Sequence, residues 1–156
     1  MTVITEADPT DSVILSGLAA RSEAYWGYDY AYMENFRQVY NVTEGFIKNN
    51  PTFLLKNRGR IIGFYGIKTG LSETVLEYFF IEPDFIGKGY GKELWDHLLI
   101  FCRESKIPEF IIVTSPQAKQ FYEKLGAEFV EEVDSLLKKG RRIPKLIYRL
   151  VPREKI

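Results

Sequence analysis

The sequence predicts an α/β fold in which a mixed sheet is covered by helices, and three observations carry that prediction. Two β-type runs, 52–56 and 60–68, are joined by Asn57-Arg58-Gly59, a hairpin turn with a glycine available for positive φ. A short apolar run at 110–114 has turn signals on both sides, which suits a buried parallel strand. Helical patterns stand before and after that run, so strands and helices alternate along the chain.

Element by element, residues 3–6 read as a short extended start. Asp8 before Pro9 fits a cap followed by a first helical position, and a helix runs on through about Ser22, with Val13, Ile14 and Leu18 at helical spacing. A second helix is expected over 30–40. After the hairpin, residues 74–82 form a third long strand, dense in aromatic and β-branched residues. Beyond Pro83 and a glycine-rich turn, Tyr90, Leu94, Leu98 and Cys102, with Trp95 and Leu99 beside them, make the apolar face of a helix ending near Ser105. The strand at 110–114 follows. Residues 116–125 form a helix opened by Ser115, with Pro116 at its first position, and closed by Gly126. A last hairpin pairs 127–134 with 143–151 across a basic turn containing Gly140. No repeat, low-complexity tract or linker interrupts the chain, so residues 1–156 read as one domain.

Composition narrows the function classes. The 156 residues hold 21 Lys and Arg against 21 Asp and Glu, and a net charge of zero argues against a general nucleic-acid binder. No apolar run approaches a membrane span and no charged-then-apolar leader opens the sequence, so a cytoplasmic protein without membrane attachment is expected. Cys102 alone can neither staple the fold nor build a thiolate metal cluster, and no metal is expected. The zero is a sum of unequal parts. Residues 1–35 carry six acids and one base, whereas residues 136–156 carry eight bases and one acid.

Gly87, Gly89 and Gly91 alternate where a strand hands over to a helix. Glycine lets the backbone take positive φ and lets a ligand approach without a Cβ in the way. Successive amides then converge at a helix N-terminus, where partial positive charge favours an anion. The spacing excludes two familiar phosphate loops. A P-loop needs four residues between its first Gly and Gly-Lys-Ser/Thr; here only three separate Gly87 from Gly91-Lys92, and Glu93 follows. A dinucleotide fingerprint needs its third glycine one residue later than Gly91. A glycine-rich turn that binds nothing is the alternative.

The stretch from Leu76-Glu77-Tyr78-Phe79-Phe80-Ile81-Glu82-Pro83 through Gly87-Lys88-Gly89-Tyr90-Gly91-Lys92 resembles the acyl-CoA-binding motif of the GNAT-type N-acetyltransferases. A second stretch, Ser115-Pro116-Gln117-Ala118-Lys119-Gln120-Phe121-Tyr122-Glu123-Lys124-Leu125-Gly126-Ala127, is similar to the family's Asn-x-x-Ala-x-x-Phe-Tyr helix. One helix and one strand separate the two motifs, as in the family, and the resemblance covers nearly the whole chain. It implies a GNAT-like fold, a mixed and mostly antiparallel sheet flanked by helices and splayed where acyl-CoA binds. It also implies acetyl-CoA as cosubstrate. Ile86 stands where the family has Arg or Gln, and Ser115 where it has Asn. The amides of the turn, with Lys88 or Lys92, are left to hold the anion.

The resemblance assigns the chemistry residue by residue. Acyl transfer from a thioester to an amine must take a proton from the amine, stabilise an oxyanion and return a proton to the thiolate. Tyr122 is the candidate acid, since a phenol is protonated at neutral pH; the alternative is a core aromatic beside Phe121. Glu77 matches a position where a carboxylate accepts the amine proton; the alternative is an exposed strand carboxylate. Main-chain amides near Phe80 and Ile81 would meet the oxyanion. Gly87, Lys88, Gly89, Tyr90, Gly91, Lys92, Ser115 and Phe121 complete the cofactor side.

Tyr25, Trp26 and Tyr28, with Tyr30 and Tyr32, form an aromatic cluster that either lines the acceptor pocket or packs a helix corner. The acids nearby, Glu23, Asp29 and Glu34, would suit a cationic amine. Glu82 is expected in solvent, His97 solvated or satisfied, and Cys102 in the core. Asn41-Val42-Thr43 matches a glycosylation sequon and is read as chance. The activity expected is direct acetyl transfer to a small-molecule or peptide amine, with a homodimer as the family prior and no nucleic-acid partner. The rival is an acyl-CoA-binding module without catalysis.

Overall fold

Alternation along the central hairpin decides the layering. Leu54 and Phe64 turn to one face of the sheet, whereas Phe53, Leu55 and Tyr65 turn to the other, and each face gathers its own helices. The computed structural model describes residues 1–150. In chain order its elements are β1 (Thr2–Glu6), α1 (Ser12–Ala24), α2 (Tyr30–Val39), α3 (Glu44–Asn49), β2 (Thr52–Asn57), β3 (Arg60–Thr69), β4 (Thr74–Ile81), α4 (Tyr90–Glu104), β5 (Glu109–Val113), α5 (Pro116–Lys124), β6 (Glu128–Asp134) and β7 (Arg142–Arg149). Residue 151, the expected end of the last strand, and Arg153 and Lys155 of the basic tail lie outside the described residues.

One seven-stranded sheet runs β1-β2-β3-β4-β5-β7-β6. Its neighbours are antiparallel except β4 and β5, which run parallel and pair only at Val75 with Ile111. Beyond that pair the two strands part, so the sheet opens between Leu76–Ile81 of one strand and Ile112–Val113 of the other. The resemblance implied such a splay, and it is present.

On one face α4 and α5 cover a core built from Leu94, Trp95, Leu98, Tyr122 and Phe110. On the other, α1, α2 and α3 cover Leu54, Phe64 and Tyr78. Asp8 caps the chain into a short 3-10 turn, Pro9–Asp11, in a reciprocal capping box with Asp11, and α1 follows. The buried stripe of α1 is Leu15, Leu18, Ala19 and Ser22, while Val13 and Ile14 are exposed at 81% and 51%. Helical spacing alone admitted either stripe; the one that faces β3 and β4 also carries the small residues that let the helix approach.

Helix α3 is an addition to the expected elements. Thr43, from the sequon-like triplet, accepts from the Phe46 amide at 2.9 Å and caps it. Ser115 stands at the N-cap of α5, but its hydroxyl makes no capping bond. The hairpin turn is tighter than its three-residue signal suggested: Asn57 pairs with Arg60, and Arg58 and Gly59 both take positive φ.

Candidate active site

The glycine turn does what its spacing allows. After a 3-10 turn at Pro83–Phe85, Gly87 and Gly89 take φ of +79° and +90°, and Gly89 is the N-cap of α4. A Cβ at either position would meet nothing, so backbone conformation is what demands glycine there. Gly91 answers to a different need: a Cβ there would lie 3.2 Å from the Phe121 ring of α5. The first helical bond runs from the Glu93 amide to the Gly89 carbonyl, which leaves the amides of Tyr90, Gly91 and Lys92 without intrahelical partners. Such N–H groups at a helix N-terminus, behind a glycine turn, make an anion cradle. Lys92 borders it and pairs with Asp96 at 2.6 Å.

Strand β4 carries the next feature. Tyr78 pairs with Gly66 and Leu76 with Ile67, so the β3 ladder skips Glu77, which forms a β-bulge. The extra residue rephases the strand: Leu76 packs toward α4 while Tyr78 packs toward α1. Burial pushes the Glu77 carboxyl above its ordinary 4.5, with Lys68 opposing. Further along, Glu82 N–H donates to Ile62 O. By the alternation of an antiparallel ladder, the Phe80 amide is then spent on Phe64, and those of Phe79 and Ile81 face the opening toward β5.

Helix α5 presents Tyr122 from the other side of the opening. Its side chain is 5% exposed and packs edge-on against Phe79. Its hydroxyl has no hydrogen-bond partner among the described residues, and burial holds the phenol above its ordinary 10.0, so it is protonated at neutral pH.

These pieces border one cavity of about 480 Å³. Its lining includes Glu77, Phe80, Ile81, Gly87, Gly89, Gly91, Lys92, Ser115, Phe121 and Tyr122 from the expected site, with Ile86 at the loop. At its far end stand Glu23, Trp26, Tyr32, Phe36, Tyr40 and Arg141. Leu137, from the β6–β7 connection, also lines that end, and its carbonyl accepts from Asn35 Nδ2 of α2 at 3.1 Å. The basic connection therefore folds over that end of the cavity.

Other expected residues sit elsewhere. Lys88 and Tyr90 do not line the cavity; both lie against Phe85, with Lys88 Nζ 5.8 Å from its ring centroid. Tyr25 is turned outward at the end of α1, edge-on to Trp26. Tyr28 is folded back onto Tyr32 and contributes no cavity wall of its own. Asp29 is spent capping α2 through the Tyr32 amide, and Glu34 pairs with Arg37 in solvent, which leaves Glu23 as the acid that reaches the cavity. Arg142 and Lys145 pair with Asp134 and Glu131 on the last hairpin. Glu82 is not solvated: it is 5% exposed and grips Arg21. His97 shares a 2.8 Å hydrogen bond with the buried Tyr65, and Cys102 is fully buried.

Phe36 and Tyr40 are the far-end wall residues that sequence reasoning did not name; Tyr32 belongs to the expected aromatic cluster. Arg141 belonged to a basic run whose folding over α2 no local pattern encodes. Among the described residues, no group of three or more His, Cys, Asp or Glu side chains converges on a metal position, and no helix is long and apolar enough to cross a membrane.

Comparison with known proteins gives the geometry its setting. The family model for the acetyltransferase (GNAT) domain matches residues 19–143. A 5-NmdU N-acetyltransferase of Pseudomonas phage PaMx11 is 27% identical over 128 residues, spanning 81% of this chain and 86% of the phage protein. The PaiA N-acetyltransferase of Thermoplasma acidophilum, solved with coenzyme A, superposes with a TM-score of 0.80 at 17% identity, over 96% of this chain and 99% of that one. YncA of Salmonella typhimurium, solved with acetyl-CoA, superposes with a TM-score of 0.69 at 15% identity, over 100% and 98%. Likeness at that identity speaks for the fold.

Proposed function

Because the chain belongs to the GNAT acetyltransferase family, whose members move acetyl groups from acetyl-CoA to amines, we propose that it acetylates a primary amine by direct transfer within the cavity described above. The observation that carries the reading is the continuity of that cavity: the anion cradle, the sheet opening, Glu77, Tyr122 and the aromatic acceptor end all border one space. Acetyl-CoA fits what is present. The first-turn amides of α4, behind the glycine turn, suit its phosphates, and the gap between β4 and β5 leaves unpaired backbone for its amide-bearing arm. When bound it supplies the thioester.

The chain's own residues then divide the work. Glu77 takes a proton from the amine, directly or through water; a carboxyl raised by burial is a better base than an exposed one. The Ile81 amide, left free by the ladder, faces the developing charge on the acyl oxygen. Tyr122 Oη gives a proton to the departing sulfur as the C–N bond forms and the C–S bond breaks. Cys102 is fully buried in the α4 core and off the cavity, so no cysteine is placed to carry the acetyl group between partners. Phe121, Ser115 and Ile86 shape the cofactor side without charge.

The acceptor is read as an uncharged-bodied or cationic small amine, and the phage relative's action on 5-NmdU sets one precedent for it. Residues 1–156 are read as one acetyltransferase domain. A homodimer and a cytoplasmic location complete the reading, to be checked by light scattering and cell fractionation. The activity itself is tested by titration calorimetry with acetyl-CoA followed by amine-dependent release of free thiol. Binding together with release supports it; no binding at millimolar acetyl-CoA would contradict it.

A further inference from the structure

The acceptor end of the cavity carries a polar set that acetyl transfer does not itself require. Tyr28 and Tyr32 stack with ring centroids 3.9 Å apart and planes within 17°. The Arg141 guanidinium carbon lies 5.0 Å from one centroid and 5.4 Å from the other. Near-equal distances from two stacked rings put it at their edge rather than over a face. There its Nη2 donates to Tyr28 Oη at 2.8 Å, and Tyr28 Oη donates onward to Gln117 Oε1 at 3.1 Å. Tyr32 Oη donates to Glu23 Oε2 at 2.8 Å. One tyrosine stack thus holds a guanidinium and a carboxylate side by side, and both line the cavity.

Each has capacity left. Arg141 has five N–H groups and forms no ion pair among the described residues, and Glu23 Oε1 has no hydrogen-bond partner there. Together they offer donors and an acceptor with no net charge. A ligand charge of either sign would meet one opposite and one like charge, so the pair as a whole favours neither. A neutral group presenting one N–H and one C=O satisfies both. Trp26, Tyr32 and Phe36 supply flat apolar walls beside the pair. Glu77 lines the same cavity.

The geometry points to an acceptor of one chemical class: a primary amine on a short tether from a flat, uncharged ring whose edge carries adjacent N–H and C=O groups, as in a lactam or a pyrimidine-type base. Arg141 and Glu23 read that edge, the aromatic walls hold the ring, and the amine reaches Glu77. This rests on the acetyl transfer proposed above.

The test measures thiol release from acetyl-CoA by the full chain with three amines. 5-Aminomethyluracil has the tether, the ring and the edge. Benzylamine has the tether and ring alone, and putrescine has a second cation and no ring. The expected result is a kcat/KM for 5-aminomethyluracil about tenfold or more above either rival, as for loss of a hydrogen bond to a charged group. Arg141→Met should bring its ratio to benzylamine to within about twofold of one. Comparable rates for the two ring amines in the wild-type chain, or a preference for putrescine, would overturn the inference and leave acetyl transfer standing. A preference that survives Arg141→Met would overturn the role given to that residue. Absence of release with every amine would overturn the transfer and this inference with it.

Discussion

Arg21 and Glu82 form a two-point ion pair, Nε to Oε1 at 2.6 Å and Nη2 to Oε2 at 2.9 Å, that ties the last turns of α1 to the end of β4. The partners are unequal: the Glu82 side chain is 6% exposed and the Arg21 side chain 56%. Removing the arginine leaves a buried carboxylate unpaired, whereas neutralising the glutamate leaves a guanidinium that already reaches water. Arg21→Ala should therefore cost about 3 kcal/mol of stability, and Glu82→Gln about 1 kcal/mol. Urea denaturation of the two variants checks the order; a larger loss for Glu82→Gln would contradict it.

Tyr122→Phe keeps the packing against Phe79 and removes only the hydroxyl. Turnover should fall about a hundredfold, with acetyl-CoA affinity unchanged within about twofold. Steady-state kinetics beside calorimetry separate the two, and an unaltered kcat would remove Tyr122 from the proton transfer.

The pH profile of kcat/KM should report Glu77. Its carboxyl is raised above 4.5 by burial, so activity should be lost as pH falls through a midpoint higher than an exposed glutamate's. Glu77→Gln should lower the rate and remove that acidic limb. A limb that persists in the variant belongs to another group.

Gly89 sits at φ +90° at the N-cap of α4. An alanine there is strained by about 1–2 kcal/mol and relieves the strain by moving the amides of the cradle. Gly89→Ala should raise the KM for acetyl-CoA several-fold while the acceptor's KM stays put. Equal effects on both substrates would mean that the turn shapes the fold and not the cofactor site.

His97 should leave its mark on stability and not on rate. Desolvation lowers its pKa below 6.5, so the folded state holds the neutral ring more firmly than the unfolded chain does. The associated stability is present above pH 6.5 and is lost as pH falls through the depressed folded value. His97→Gln keeps a partner for Tyr65 and should flatten that acidic loss in thermal melts. An unchanged slope would assign it to other groups.

Much of this was legible in the sequence, and the exceptions have physical causes. Strands and long helices follow from periodicity, and the glycine turn, Glu77 and Tyr122 follow from two linked motifs. Helix α3 has only six residues, too few for a periodic signal, and only Thr43 marks its start. Glu82 looked solvated because its partner lies 61 positions away. The exposed Val13 and buried Leu15 occupy stripes that helical spacing alone cannot rank. Arg141 enters the cavity through the packing of the β6–β7 connection on α2, a long-range event with no local motif. Glu77 was visible as a residue, but its bulge depends on the register of β3 against β4.

Direct transfer is the centre of the account, and initial-velocity kinetics test it most directly. With acetyl-CoA and a turned-over amine both varied, double-reciprocal plots should give lines that intersect, because the proposed direct transfer needs both substrates in the one cavity at once. Parallel lines, the signature of an acetylated enzyme, would contradict it.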